Sequence, residues 1–286
     1  MKIHYILKIL QNAIFGMLLL ACNTSSKAQN KQISVTIDDL PFVGEYRNFH
    51  LNLLMNAMKS QQIPATGFII GREVRKNNWK MLHKFRDAGF GVGNHTWSHA
   101  NLNRVEVKQY KHEIKEADDL LASVLTEPKY FRYPYLAMSS GKKRDKILCY
   151  LSKKHYKVAP ITIDSKDFAF NQRLLSVPEA DRRNYLNELK SFYLDFIWQQ
   201  TLAAEAVNTS QKHPGQAQIL LIHANLLNAY VLPDIIEMYK GHDYSFVSLE
   251  HALKTFSHIT QCSKIKQKPM ALAVNDSNIE SFMDWD

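Results

Sequence analysis

Seven short β-rich runs divide this chain, and most of them stop at a polar or charged cluster. Segments with apolar residues at helical spacing lie between them. The runs lie at 33–37, 65–70, 89–93, 129–132, 156–163, 219–222 and 244–248. The helical patterns lie at 49–58, 79–85, 105–125, 142–154, about 224–239 and 249–256. Alternating βα units return the chain to the same edge before each new strand, so their strands pair in parallel and helices cover the sheet. Seven or so such units suit a barrel-like α/β fold, which typically needs ~250 residues. An open doubly wound sheet is the alternative.

One segment, 171–217, breaks the rhythm. Ser176-Val177-Pro178-Glu179 reads as a capping box with Pro in the first turn. Leu186, Leu189, Tyr193, Phe196, Ile197 and Gln200 then follow helical spacing. This predicts an inserted helix, either a plain covering helix or a wall of a cleft.

The first thirty residues have a different character. Lys2 and Lys8 open a segment whose apolar core includes Ile14, Phe15 and Met17 to Leu20. That core is short against the ~20 residues of a spanning helix, and it matches a secretory signal. Leu19-Leu20-Ala21-Cys22 resembles the bacterial lipobox, in which the Cys receives the lipid. The expected organisation is a signal peptide over 1–21, a polar tether over 22–32, a folded domain over 33–258 and a tail over 259–286. The expected location is the bacterial cell envelope, periplasm or outer membrane, with the membrane reached through Cys22.

The net charge of +9 raises the question of nucleic acid. The positive residues are dispersed apart from Lys264, Lys266 and Lys268, and no recognition motif occurs. No nucleic-acid partner is expected. Cys149 and Cys262 are permitted to pair after export, but Cys149 equally suits a buried thiol in an apolar helix. Composition leaves the oligomeric state open.

Five polar clusters carry the chemistry. Asp38 and Asp39 end the first run, and at a strand end both carboxylates can reach one mouth. His95 and His99 stand four apart, so both imidazoles can face one metal ion across a helical turn. Arg132 and Tyr135 lie in Phe131-Arg132-Tyr133-Pro134-Tyr135. Asp164 and Asp167 follow the fifth run. His223 ends the fully apolar sixth run. In α/β folds, residues at the carboxyl ends of strands line the functional face. His50, His83, His112, His155, His213, His242, His251 and His258 lack such context and read as surface or helix-face residues.

Asp-Asp, His-x-x-x-His, Arg-x-Pro-Tyr, Asp-x-x-Asp and Leu-x-His, in that order, resemble the five-motif signature of the polysaccharide deacetylases. These are the NodB-homology proteins of carbohydrate esterase family 4. The likeness runs from about Ile33 to Phe256. It implies a distorted (β/α) barrel and a hydrolase that removes N-acetyl groups from amino-sugar polysaccharides or oligosaccharides. It also implies a divalent metal ion, Zn²⁺ first, then Co²⁺ or Ni²⁺, held by Asp39, His95 and His99. By the same resemblance Asp38 is the general base and Arg132 holds it. The backbone N–H of Tyr135 binds the oxyanion, and His223 is the general acid, tuned by Asp167. The chain departs from the pattern at Ile37, Tyr133, Leu136, Ala137 and Phe168, which points to altered pocket walls. An O-acetyl esterase or small-amide hydrolase on the same metal site is an alternative. A catalytically silent glycan-binding lipoprotein is another.

Overall fold

The computed structural model describes residues 31–41 and 47–256. Residues 1–30, 42–46 and 257–286, which include the expected signal peptide, tether and tail, lie outside the described residues. The strands are β1 (Lys31–Leu40), β2 (Ala65–Ile69), β3 (Gly91–Asn94), β4 (Tyr130–Phe131), β5 (Lys157–Val158), β6 (Ile163–Asp164), β7 (Gln218–His223) and β8 (Tyr244–Phe246). The helices are α1 (Arg47–Ser60), α2 (Trp79–Asp87), α3 (Val107–Leu121), α4 (Gly141–Lys153), α5 (Asp167–Ser176), α6 (Arg182–Ser210), α7 (Leu226–Gly241) and α8 (Leu249–Lys254).

The sheet order is β5-β4-β3-β2-β1-β7-β6, and β8 pairs with the start of β1. Every pairing is parallel. The sheet therefore begins and ends on consecutive strands. Only residues 159–162 join β5 to β6, and four residues span at most ~14 Å. That short link forces the sheet to curl into an incompletely closed barrel. The run expected as one strand at 156–163 is thus two short strands on opposite ends of the sheet. Pro160 sits at the break, and proline cannot donate to a ladder.

Alternation along β1 sorts the barrel wall. Ile33, Val35 and Ile37 face outward into the main core, where Leu51, Leu54, Leu232 and Ile236 of α1 and α7 also pack. Each fully buried aliphatic side chain there contributes roughly 1.5–3 kcal/mol. Ser34, Thr36 and Asp38 take the opposite face and are buried too. A polar stripe inside an otherwise apolar barrel needs partners. Thr36 donates its hydroxyl to the Leu220 carbonyl at 2.7 Å. A second core forms where α3 and α4 pack, with Tyr110, Ile114, Ile147 and Leu151 around Phe131 and Tyr133.

The inserted segment is a covering element. Its long helix α6 buries Leu189, Tyr193, Phe196, Ile197, Thr201 and Ala204 along one face. The expected capping box does not form. Ser176 ends α5, and its hydroxyl donates back to the Arg173 carbonyl at 2.7 Å. α6 begins only at Arg182, whose guanidinium closes α5 by donating to the carbonyls of Leu175 and Val177. The local pattern Ser-x-x-Glu was outweighed because α5 already used Ser176 as its last turn.

Of the histidines expected on a surface or helix face, His50 lies on α1 and is buried. Cys149 is half-buried on α4 and disulfide-bonded, with its partner outside the described residues.

Candidate metal centre and active site

The carboxyl ends of β1, β3, β6 and β7, with the turn after β4, converge on one mouth of the barrel. Asp38 lies on the inner face of β1 opposite His223 of β7, its register partner. Strict alternation would turn Asp39 outward, because the side-chain period in a strand is two. Asp39 instead adopts φ 61, and the β1–β2 register shifts between Ile37 and Leu40. The left-handed residue returns its carboxylate to the mouth, so both acids serve one site. Aspartate tolerates this conformation better than most residues.

His95 and His99 do not sit on a helical turn. They lie on an irregular loop after β3, with Thr96 at φ 66 and His99 at φ 59. The loop is tied from inside. Thr96 Oγ accepts the Ala100 N–H at 3.1 Å. Glu113 of α3, buried, accepts both the Ser98 N–H at 2.6 Å and its hydroxyl at 2.8 Å. Glu113 carried no sequence signal beyond being an acid on an amphipathic helix. Its partner stands fifteen residues away, and only the fold brings them together.

Asp39, His95 and His99 offer ligand atoms all within 4.8 Å of one another. Asp39 Oδ1 lies 3.3 Å from His95 Nε2 and 3.2 Å from His99 Nε2. Two donors on a tetrahedral ion at ~2.05 Å stand ~3.3 Å apart, so this spacing fits zinc. His95 Nδ1 is 2.9 Å from the Arg132 carbonyl. A backbone oxygen only accepts, so Nδ1 carries the proton and Nε2 is the nitrogen turned to the centre. Among the described residues, the buried Asp39 Oδ1 has no hydrogen-bond partner. Lone pairs of a carboxylate and of imidazoles facing each other across a buried space are what a cation satisfies. Burial pushes the Asp39 carboxyl up, but the contacts from His95 and His99 and the charge of His223 outweigh it, holding it well below the usual range. Asp39 is therefore held as a carboxylate.

Arg132 is buried and points into the barrel. Its Nη1 donates to both oxygens of Asp38 at 3.1 and 3.3 Å. Nε donates to the Ala159 carbonyl at 2.7 Å, and Nη2 to Thr36 Oγ at 3.1 Å and the Pro160 carbonyl at 3.3 Å. Its guanidinium stacks 4.6 Å from the centre of the Phe68 ring. Burial draws the Arg132 pKa down, against the opposing pull of Asp38, yet arginine remains a cation.

His223 and Asp167 form the other flank. Asp167 Oδ1 lies 2.7 Å from His223 Nδ1, and Oδ2 accepts the His223 backbone N–H at 2.6 Å. Burial lowers the His223 pKa, but the charge and hydrogen bond of Asp167 override it, pushing it up to about 10. Its Nε2 stands 3.7 Å from Asp39 Oδ2, facing the metal-capable centre.

Tyr135 lies in the turn after Pro134 with φ 55. Its ring is exposed and lies 4.4 Å from that of His99. Asp164 is held by Lys166, whose N–H and ammonium reach it at 3.0 and 3.1 Å. Of the residues expected to alter the pocket, Phe168 is exposed at the mouth, but Tyr133 is buried against Tyr110 and Phe131. Tyr133 therefore belongs to the second core and not to a pocket wall.

A curled parallel α/β barrel with an Asp-His-His centre at its mouth, flanked by an Arg-held Asp and an Asp-held His, defines a class of protein with a metal-capable hydrolytic site. Residues 25–157 match the family model described as polysaccharide deacetylase. A chitin deacetylase of Pestalotiopsis sp is 25% identical over 198 residues, 60% of this chain and 61% of that one. A peptidoglycan-N-acetylglucosamine deacetylase of Bacillus cereus is 25% identical over 138 residues, 48% of this chain and 46% of that one. The chain thus spans about half the length of the curated relatives it matches. Among solved structures, a CE4 family pseudoenzyme of Bacillus anthracis shares the fold at TM-score 0.55 and 20% identity, covering 78% of this chain and 66% of that one. Because this fold is found in a pseudoenzyme, activity has to be argued from the site.

Proposed function

We propose that this protein is a metal-dependent hydrolase that removes N-acetyl groups from an amino-sugar polysaccharide or oligosaccharide. The observation that carries the reading is the pairing of opposite roles across one centre. A carboxylate held by a fixed cation stands on one side, and an imidazole held by a fixed anion stands on the other. Amide hydrolysis needs both a proton acceptor for water and a proton donor for the leaving amine.

In this reading Asp39, His95 and His99 hold the ion, with Zn²⁺ the first candidate by donor type and spacing. Once bound, such an ion supplies Lewis-acid polarisation of the acetyl carbonyl and acidifies water. Asp38 accepts a proton from the attacking water, and Arg132 keeps its carboxylate aimed at the mouth. The Tyr135 N–H donates to the developing oxyanion, a contribution of ~3–4 kcal/mol for such donors. His223, whose Nδ1–H is spent on Asp167, gives the Nε2 proton to the leaving amine. Acetate release from chitin oligomers and peptidoglycan fragments tests the reading. A chelator should abolish it, Zn²⁺ or Co²⁺ should restore it, and His95→Ala should lose it. Release that survives both metal stripping and His95→Ala would refute the proposal.

The same reading places the catalytic domain at 33–258 and the protein on the bacterial envelope through a lipid on Cys22. The Cys149 disulfide supports an oxidising compartment. A lipidated Cys22 has no free thiol, so Cys149 must then pair with Cys262, the only other cysteine. Non-reducing peptide mapping should find that pair, and Cys22→Ala should move the protein to the soluble fraction. A Cys22–Cys149 peptide would overturn the anchor.

A further inference from the structure

We propose that Asn228 of α7 and Tyr193 of the inserted helix α6 are positioning residues for His223, acting through Asp167; this rests on the reading of His223 as the proton donor.

Asp167 is buried, and its two oxygens are used unequally. Oδ2 accepts three donors: the His223 N–H at 2.6 Å, Asn225 Nδ2 at 2.9 Å and Asn228 Nδ2. Among the described residues, Oδ1 meets only the His223 ring. Three donors converging from the β7–α7 segment pin Oδ2 in place. The carboxylate then cannot rotate without breaking bonds that no water can replace in so buried a position. The free direction of Oδ1 fixes the plane of the imidazole, and hence where Nε2 points.

Asn228 is itself over-determined. It is fully buried, and its Nδ2 donates both to Asp167 and to the His223 carbonyl at 3.0 Å. Its Oδ1 accepts the Tyr193 hydroxyl at 2.9 Å. An amide can satisfy an anion and a phenol at once in only one orientation, because flipping it would set Oδ1 against the carboxylate. Tyr193 stays a donor, since burial pushes its hydroxyl pKa well up. Its ring is locked 5.1 Å from that of Phe170 on α5. A helix that otherwise covers the barrel wall thus has one polar contact leading, through one amide and one carboxylate, to the catalytic imidazole. Asn225 completes the set by capping α7, its Oδ1 accepting the Asn228 N–H at 2.9 Å.

The test compares Asn228→Ala and Tyr193→Phe with His223→Ala on two substrates. One is an N-acetylglucosamine oligomer, whose amine leaves only when protonated. The other is p-nitrophenyl acetate, whose phenolate needs no proton. A misplaced donor costs about 10–100-fold on the amide for Asn228→Ala and a smaller loss for Tyr193→Phe. KM and bound zinc should hold within about 2-fold, and the aryl ester rate within about 3-fold. Equal loss on both substrates would mean a merely structural role and would overturn the proposal. So would an unchanged amide rate. Independently of turnover, the low-field proton signal of His223 Nδ1–H, identified by its absence in His223→Ala, should shift or broaden in both variants. If wild type releases no acetate from the amide, the functional reading fails, and this signal alone decides the positioning role. An unchanged signal in Asn228→Ala would sink it.

Discussion

Replacing Arg132 with leucine should cost far more stability than any surface charge change. The guanidinium is 1% exposed and Asp38 is 4% exposed, so neither charge has water to fall back on. Arg132→Leu removes the bidentate contact to Asp38 and the donors to Ala159, Pro160 and Thr36. Breaking a buried pair by removing one partner typically costs 3–5 kcal/mol, because the remaining charge is left uncompensated. The buried Ala159 carbonyl and the partly buried Pro160 carbonyl losing donors push the value to the upper part of that range. Leucine still packs on Phe68, so the loss is electrostatic and not a cavity. For a domain of this size, about 3–5 kcal/mol lowers Tm by ~6–20 °C. Urea denaturation followed by circular dichroism measures it. The double variant Asp38→Asn/Arg132→Leu carries no stranded charge and should recover about 1–2 kcal/mol of the loss. A single-variant effect under about 1 kcal/mol, or a double variant no better than Arg132→Leu, would refute the reasoning.

Asp167→Asn should flatten the pH dependence of stability between pH 6.5 and about 10. His223 is raised from 6.5 to about 10, so its contribution is complete below 6.5 and is lost as pH rises through 10. Denaturant titrations across that window should show the wild-type decline and little of it in the variant; equal slopes would count against the pairing. Glu113→Ala should loosen the loop between His95 and His99 and weaken Zn²⁺ binding about 10–100-fold, read by competition with a chromogenic chelator. Unchanged affinity would mean that the loop holds itself. Gly93→Ala should destabilise by ~1–3 kcal/mol, because the new Cβ would stand 2.7 Å from Phe68 and 2.9 Å from the Tyr130 carbonyl. Since Phe68 supports Arg132, crystallography of the variant should find both side chains displaced.

Much of the barrel was legible in the chain because βα alternation is a local pattern with one parallel solution. Strand positions, helix positions and the five polar clusters follow from it. Errors arose where a local signal competed with a neighbour. The single strand at 156–163 hid a proline break that sends its halves to opposite ends of the sheet. The capping box at Ser176 was consumed by a helix that starts earlier than the pattern suggested. Tyr133 looked like a pocket residue because it departs from the family's pattern, but it lies in the core against Tyr110 and Phe131.

The sequence alone determined which residue types stand at the strand ends: two adjacent acids, two histidines four apart, an arginine, and a final histidine. It also determined that the first thirty residues differ in kind from the rest. Tertiary structure decided how those side chains point. The left-handed backbone at Asp39, the loop clamped by Glu113 and the amide of Asn228 all depend on partners far apart in the chain. Direction inside a buried site is set by where donors and acceptors can be satisfied, and residue spacing does not encode that.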